Sequence, residues 1–250
     1  MAALLLKYGA NLQARDSLDR TALFEALNNS STDGAALLLR HGVNISATDH
    51  LGETVMHKAA TNASPKHASL LINQGIALEE YNKEGLTPLH LATKYECYHV
   101  VNLLVREGVD VNATTLQGGM TPLMYTTSAG SIELCQMLIH RGAKVDAISG
   151  DQKTALMLAA AAGNAILVQV LLDYGANPQP TITASKPPLM LAADAGHAAV
   201  VHLLLKKGAN PNMSKYEPRK PRGPAAETSH RRILQLLHDY GASSDVAEEG

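Results

Sequence analysis

The sequence predicts an all-α protein, one short helical unit repeated along the chain, and three observations carry that prediction. A leucine-rich string closed by a glycine recurs at Gly9, Gly42, Gly75, Gly108, Gly142, Gly175, Gly208 and Gly241, with spacings of 33, 33, 33, 34, 33, 33 and 33 residues. A second marker stands 21 residues before each glycine from Gly42 on, at Thr21, Thr54, Thr87, Thr121, Thr154, Pro187 and Lys220. Two markers that keep one register at this period indicate a repeat architecture. The third observation is a lack of aromatic volume, with only Phe24, eight tyrosines and no tryptophan in 250 residues. Leucine, alanine and valine carry most of the 46% apolar content, which suits many small helix contacts better than one bulky core.

Within a unit the first helix starts at the threonine. Thr87 is placed as an N-cap whose hydroxyl accepts a backbone N–H of the first turn, and Pro88 fits the first helical position, where no hydrogen bond is lost. Leu89, Leu91 and Ala92 then face the neighbouring repeat. The second helix has its own caps ten residues after the threonine slot, at Ser31, Ser64, Ser131 and Asn164. It ends at the glycine, which suits a left-handed C′ position, with Lys7, Arg40, Arg106, Arg141 and Lys206 in the last turn, where the helix dipole favours positive charge. His90 falls three residues after its cap and can reach back to the start of its own helix, as the third residue of a capping box does. His57 shares that slot, but Phe24, Met124, Met157 and Met190 hold it elsewhere. Methionine has no acid–base chemistry, so a structural role is expected for both histidines.

The period, the TPLH tetrad at Thr87–His90, the variants TPLM at 121–124 and TALM at 154–157, the LLL…GAN strings and VNA at 111–113 resemble the ankyrin repeat. The resemblance covers nearly the whole chain. It implies an all-α ankyrin-repeat solenoid of stacked helix-turn-helix units with β-hairpin-like loops. The expected organisation is a single array over 1–250: a partial repeat at 1–16, repeats at 17–49, 50–82, 83–116, 117–149, 150–182 and 183–215, and a degenerate cap repeat with an acidic tail at 216–250. The pattern weakens at both ends, since Met1–Gly9 supplies only a second helix and KPRGPAAE replaces TPLHLAAE from Lys220. The first departure leads us to expect a chain that begins inside a longer array.

Composition narrows the function. A net charge of −2 argues against a nucleic-acid coat, and only Tyr216 accompanies the basic stretch 206–232, with eight basic and two acidic side chains, as a stacking residue. Nucleic acid is therefore not expected as a partner. Cys97 and Cys135 match neither a disulfide framework nor a zinc spacing, which favours a reducing intracellular setting, cytoplasmic with the nucleus also open. The opening MAALLLKYGAN is too short for a secretory leader, and no run of about 18 apolar residues follows, so no membrane insertion is expected. No nucleophile elbow, metalloprotease helix, phosphate-binding loop or paired CxxC occurs. Neither catalysis, cofactor, metal nor small-molecule substrate is expected.

If the repeated positions build the scaffold, function lies where the repeats differ. One exposed series is the residue before each threonine slot, at the hairpin tip: Arg20, Glu53, Leu86, Met120, Lys153, Lys186 and Arg219. The other is the end of each first helix, including Asn28, Asn29, Thr61, Asn62, Lys94, Tyr95 and Asp194. Leu86, Met120 and Tyr95 are read as one apolar patch, with the alternative that Leu86 and Met120 fold back and stiffen the hairpins. Lys153, Lys186 and Arg219 are read as favouring an acidic segment. Tyr125 stands in a slot held by Leu91 and Leu158 and is read as core. The expected function is noncatalytic capture of a protein partner through hairpin tips and the concave inner-helix face, by a monomer or part of a longer chain. The alternatives are the targeting or regulatory arm of a larger enzyme or signalling receptor, and a host-directed effector or inhibitor.

Overall fold

The computed structural model describes residues 8–180, 186–212 and 224–242. Among them lie thirteen α-helices. Six are inner helices, the first of a pair: α1 (Ala22–Asn28), α3 (Val55–Thr61), α5 (Pro88–Lys94), α7 (Pro122–Ala129), α9 (Ala155–Ala162) and α11 (Pro188–Asp194). Six are outer partners: α2 (Thr32–Arg40), α4 (Pro65–Ile72), α6 (Tyr98–Arg106), α8 (Ile132–His140), α10 (Ala165–Asp173) and α12 (Ala198–Lys206). The last is α13 (Pro224–Asp239). Apart from α13, each has seven to nine residues. Helices this short are not stable alone in water, so packing and capping hold them.

Capping follows the sequence closely. Thr54, Thr87 and Thr154 accept the N–H of the residue three positions on, and the side chains of His57, His90 and Met157 reach back to the cap N–H, closing capping boxes. Thr21 faces Phe24, which has no polar atom, and its buried hydroxyl is left without a partner. Ser31, Ser64 and Asn164 cap outer helices through their side chains, whereas Cys97 and His197 do not. The glycines that close the outer helices adopt positive φ, 85° at Gly108 and 89° at Gly208.

The chain divides into two compact units. The first holds the described residues up to Tyr125 together with His140–Gly142, and the second holds Thr126–Ile139 and those from Ala143 on. In the first unit α1, α3 and α5 pack side by side, as do α2, α4 and α6. Its core is Leu23, Phe24, Leu27, Met56, Leu71, Leu89, Val100 and Leu104. The second unit repeats the pattern with α9 against α11, α10 against α12, and α13 on α12, around Leu156, Leu167, Leu171, Val200, Leu204 and Ile233. Polar side chains also clasp one repeat to the next. Gln13 Oε1 accepts from the Asn44 N–H, Asn112 Nδ2 donates to the Gly142 carbonyl at 3.0 Å, and Asn212 Nδ2 donates to the Gly241 carbonyl at 2.9 Å.

The turn between inner and outer helices differs between the units. In the second, Gly130, Gly163 and Gly196 occupy it at positive φ. In the first, Ser30, Ala63 and Glu96 hold the same conformation at φ of 54°, 52° and 55°, each at a cost of about 1–2 kcal/mol that glycine avoids. At the last such turn the equivalent residue is Ser229, and the chain does not turn: α13 runs on for 16 residues.

Candidate functional site

The hairpin tips are built by a residue series that lies five positions before most threonine slots. Asp16, Asp49 and Asn82 each accept two backbone N–H bonds through Oδ1, from Leu18 and Arg20, from Leu51 and Glu53, and from Glu84 and Leu86. Thr115 and Ser149 do the same more sparingly, receiving the Met120 and Lys153 N–H. In every case the anchor's own N–H closes the hairpin onto the carbonyl of the tip residue, as from Asp49 to Glu53 at 3.0 Å and from Asn82 to Leu86 at 2.9 Å. Neighbouring tips of the first unit are joined by backbone bonds, His50 to Leu18, Lys83 to Leu51 and Leu116 to Gly85. Isolated bridges pair Arg15 with Thr21 and Thr48 with Thr54, and no longer strand forms among the described residues.

The buried histidines tie these tips to the helices. The Thr87 backbone N–H donates to His90 Nδ1 at 3.2 Å, and His90 Nε2 lies 3.0 Å from the Ala113 carbonyl and 3.1 Å from that of Met120. A carbonyl can only accept, so Nε2 carries the proton and Nδ1 is the acceptor. His57 repeats the arrangement with Thr54 and the Leu86 carbonyl. Both rings are fully buried. Burial holds the pKa of His90 down at about 4, against the partial support of its two carbonyl bonds, and lowers that of His57 for the same reason. These are positioning groups held neutral.

The expected surface residues divide accordingly. Leu86 is not an anchor: it is only 4% exposed, because its carbonyl is pinned by both Asn82 and His57 and its side chain is folded inward. The expected patch of Leu86, Met120 and Tyr95 therefore does not form. Met120 is half-buried, its backbone engaged by Thr115 and His90. Glu53 is also half-buried, and burial, reinforced by the charge of Asp49, raises its pKa. Tyr95 is 51% exposed at the end of α5, and Lys94 Nζ stands 5.6 Å from its ring centroid in a cation–π contact. Tyr125 is half-buried, its ring edge-on to His90 at 5.8 Å.

Those five tip and helix-end positions, Glu53, Leu86, Lys94, Tyr95 and Met120, belong to the first unit. In the second unit Lys153 is exposed, and Lys186 is brought onto Asp194, Nζ to Oδ2 at 2.5 Å. Arg219 lies outside the described residues. The apolar side chains that do stand out at first-unit tips are Leu18, Leu51 and Leu116, the last 69% exposed. Leu18 and Leu51 are one period apart and follow their acidic anchors by two residues. That spacing was available in the sequence as a signal.

Cys97 and Cys135 are free and buried, and burial pushes the Cys135 thiol up to about 12. Among the described residues no three histidine, cysteine or carboxylate side chains gather as a metal site. No described helix is long and apolar enough to cross a membrane.

A model of three ankyrin repeats matches residues 45–115, 81–149, 107–182 and 123–215. The chain belongs to the ankyrin-repeat family, an all-α solenoid that serves as a protein-interaction module. Among solved structures it is similar to the ankyrin repeat domain of Bcl-3, described as a unique member of the IkappaB protein family. The TM-score is 0.73 and the identity 29%, over 82% of this chain and 90% of that one. No curated protein matches the chain.

Proposed function

We propose that the chain is a noncatalytic scaffold that captures one protein partner through its hairpin tips and inner-helix ends. The observation that carries this reading is Tyr95, half-exposed at a position that varies from repeat to repeat, with the Lys94 ammonium over its ring. Tyrosine is favoured at interface centres because it offers large contact area at low entropic cost. Met120 and Glu53 extend the contact along the first-unit tips. Lys153 supplies a cation for an acidic segment, and Arg219 is added on sequence alone. Lys186 contributes less, its charge being taken up by Asp194. Buried reduced thiols support an intracellular setting.

The test is affinity capture with quantitative mass spectrometry, using the wild type beside Tyr95→Ala and Lys153→Glu, each verified as folded by circular dichroism. One protein enriched by the wild type and reduced at least about tenfold by Tyr95→Ala supports the reading, as expected for a central aromatic anchor. Equal recovery by all three sinks it.

A further inference from the structure

The inner-helix ends of the two units differ in a way that selects both a surface and an occupant. In the second unit they read Ser128-Ala129-Gly130, Ala161-Ala162-Gly163 and Asp194-Ala195-Gly196, small residues followed by an unstrained glycine. In the first unit they read Asn28-Asn29-Ser30, Thr61-Asn62-Ala63 and Lys94-Tyr95-Glu96. Here the turn residue is held left-handed without being glycine, and Asn29, Ser30, Asn62, Ala63, Lys94, Tyr95 and Glu96 are all exposed. Three successive repeats thus keep side chains where glycine is the less strained choice, and strain retained at one place in repeat after repeat marks a surface with a use.

The stripe is continuous. Asn62 Nδ2 donates to the Leu27 carbonyl of the preceding inner helix at 3.3 Å, and α3 packs against both α1 and α5. Its nine positions carry one positive and one negative charge, Lys94 and Glu96. A neutral stripe gives no electrostatic pull on a phosphate or an acidic peptide. What it offers is exposed amides, each with a donor and an acceptor, beside an aromatic ring. Helices packed about 8–10 Å apart repeat at about three residues of an extended chain, which rises about 3.3 Å per residue.

We infer that the first-unit stripe of Asn29, Asn62 and Tyr95 binds an extended, weakly charged segment of the partner by its main chain. This rests on the function proposed above and narrows it to one surface and one kind of ligand. The probe is a phage-displayed library of random dodecapeptides selected on the full chain. Selected peptides, made synthetically, should lose at least about tenfold in affinity with Asn29→Ala combined with Asn62→Ala. They should lose as much when alternate peptide amides are N-methylated, which removes main-chain donors and leaves side chains alone. Glu96→Gly and Ser30→Gly, which relieve strain, should raise Tm while weakening the same peptides, so that lost binding is not lost folding. Failure to enrich any peptide overturns the inference, and so do peptides indifferent to N-methylation or to the asparagine variants. If those peptides, or the partner captured above, respond to Lys153→Glu or Tyr95→Ala but not to the asparagines, the inference falls and the proposed function stands.

Discussion

At the scale of single residues, His90 shows how one side chain serves two levels of structure. Its Nδ1 completes the start of α5, and its Nε2 holds the hairpin that follows. The Nδ1 bond needs the neutral ring, because protonation removes the acceptor for the Thr87 N–H, whereas the Nε2–H bonds to the carbonyls survive it. The folded pKa of about 4 lies below the ordinary 6.5. Stability is therefore intact above pH 6.5, where the unfolded histidine is also neutral, and is lost as pH falls from 6.5 toward 4. His90 alone removes on the order of 3 kcal/mol over that window, and His57, lowered in the same direction, adds to it. Urea unfolding at about pH 7 and about pH 4.5 should show this as a drop in midpoint, and His90→Gln should show a smaller pH dependence than the wild type. An equal drop in the variant would mean that other groups govern acid unfolding. The capping role was legible in the spacing of Thr87 and His90. The burial of Leu86 was not, because a residue before a cap reads the same whether its side chain points out or in. Its direction is fixed by Asn82 and His57, both of them in the preceding repeat.

At the scale of elements, the helices and their stops were readable because capping is local chemistry: hydroxyl, proline and glycine act within a turn of where they stand. The tip anchors Asp16, Asp49 and Asn82 were equally local, but they sit in loops whose variable residues conceal the repeat. What a local reading misses is the close approach of separate elements. Gly163 is the case in point. At φ 73° a side chain there is strained, and a Cβ would also lie 2.5 Å from the His197 ring, which in turn bonds to the Ala161 carbonyl. Gly175 has a similar φ of 86° but open space around it. Gly175→Ala should therefore cost about 1–2 kcal/mol from backbone strain alone. Gly163→Ala should cost at least about 1 kcal/mol more, because the packed ring must move. Chemical denaturation of the two variants measures the difference, and equal losses would show that the His197 ring yields freely.

At the scale of the whole molecule, stability in a stacked array is close to a sum of repeats and their neighbours, so the weakest repeat sets where opening starts. Pro187 supplies no side-chain cap to α11, and the segment from Lys220 lacks the threonine, leucine and histidine of the tetrad. Hydrogen exchange in 224–241 should outpace that in 87–106 by at least about tenfold. Equal protection would mean that Ile233 and Leu237, buried one turn apart on α13, hold that end as firmly as a capping box does. The loop at 113–121 has a different consequence. Its added residue lies inside the hairpin that Thr115 and Met120 close, and the Leu116 N–H still bonds the preceding tip, at the carbonyl three residues past the Asn82 anchor where the earlier tips use the second. The extra length is taken up within the hairpin and in a one-residue shift of its bond to the preceding tip. Gln117, Gly118 and Gly119, between the two residues that close the hairpin, are therefore where new sequence can be grafted without breaking that closure.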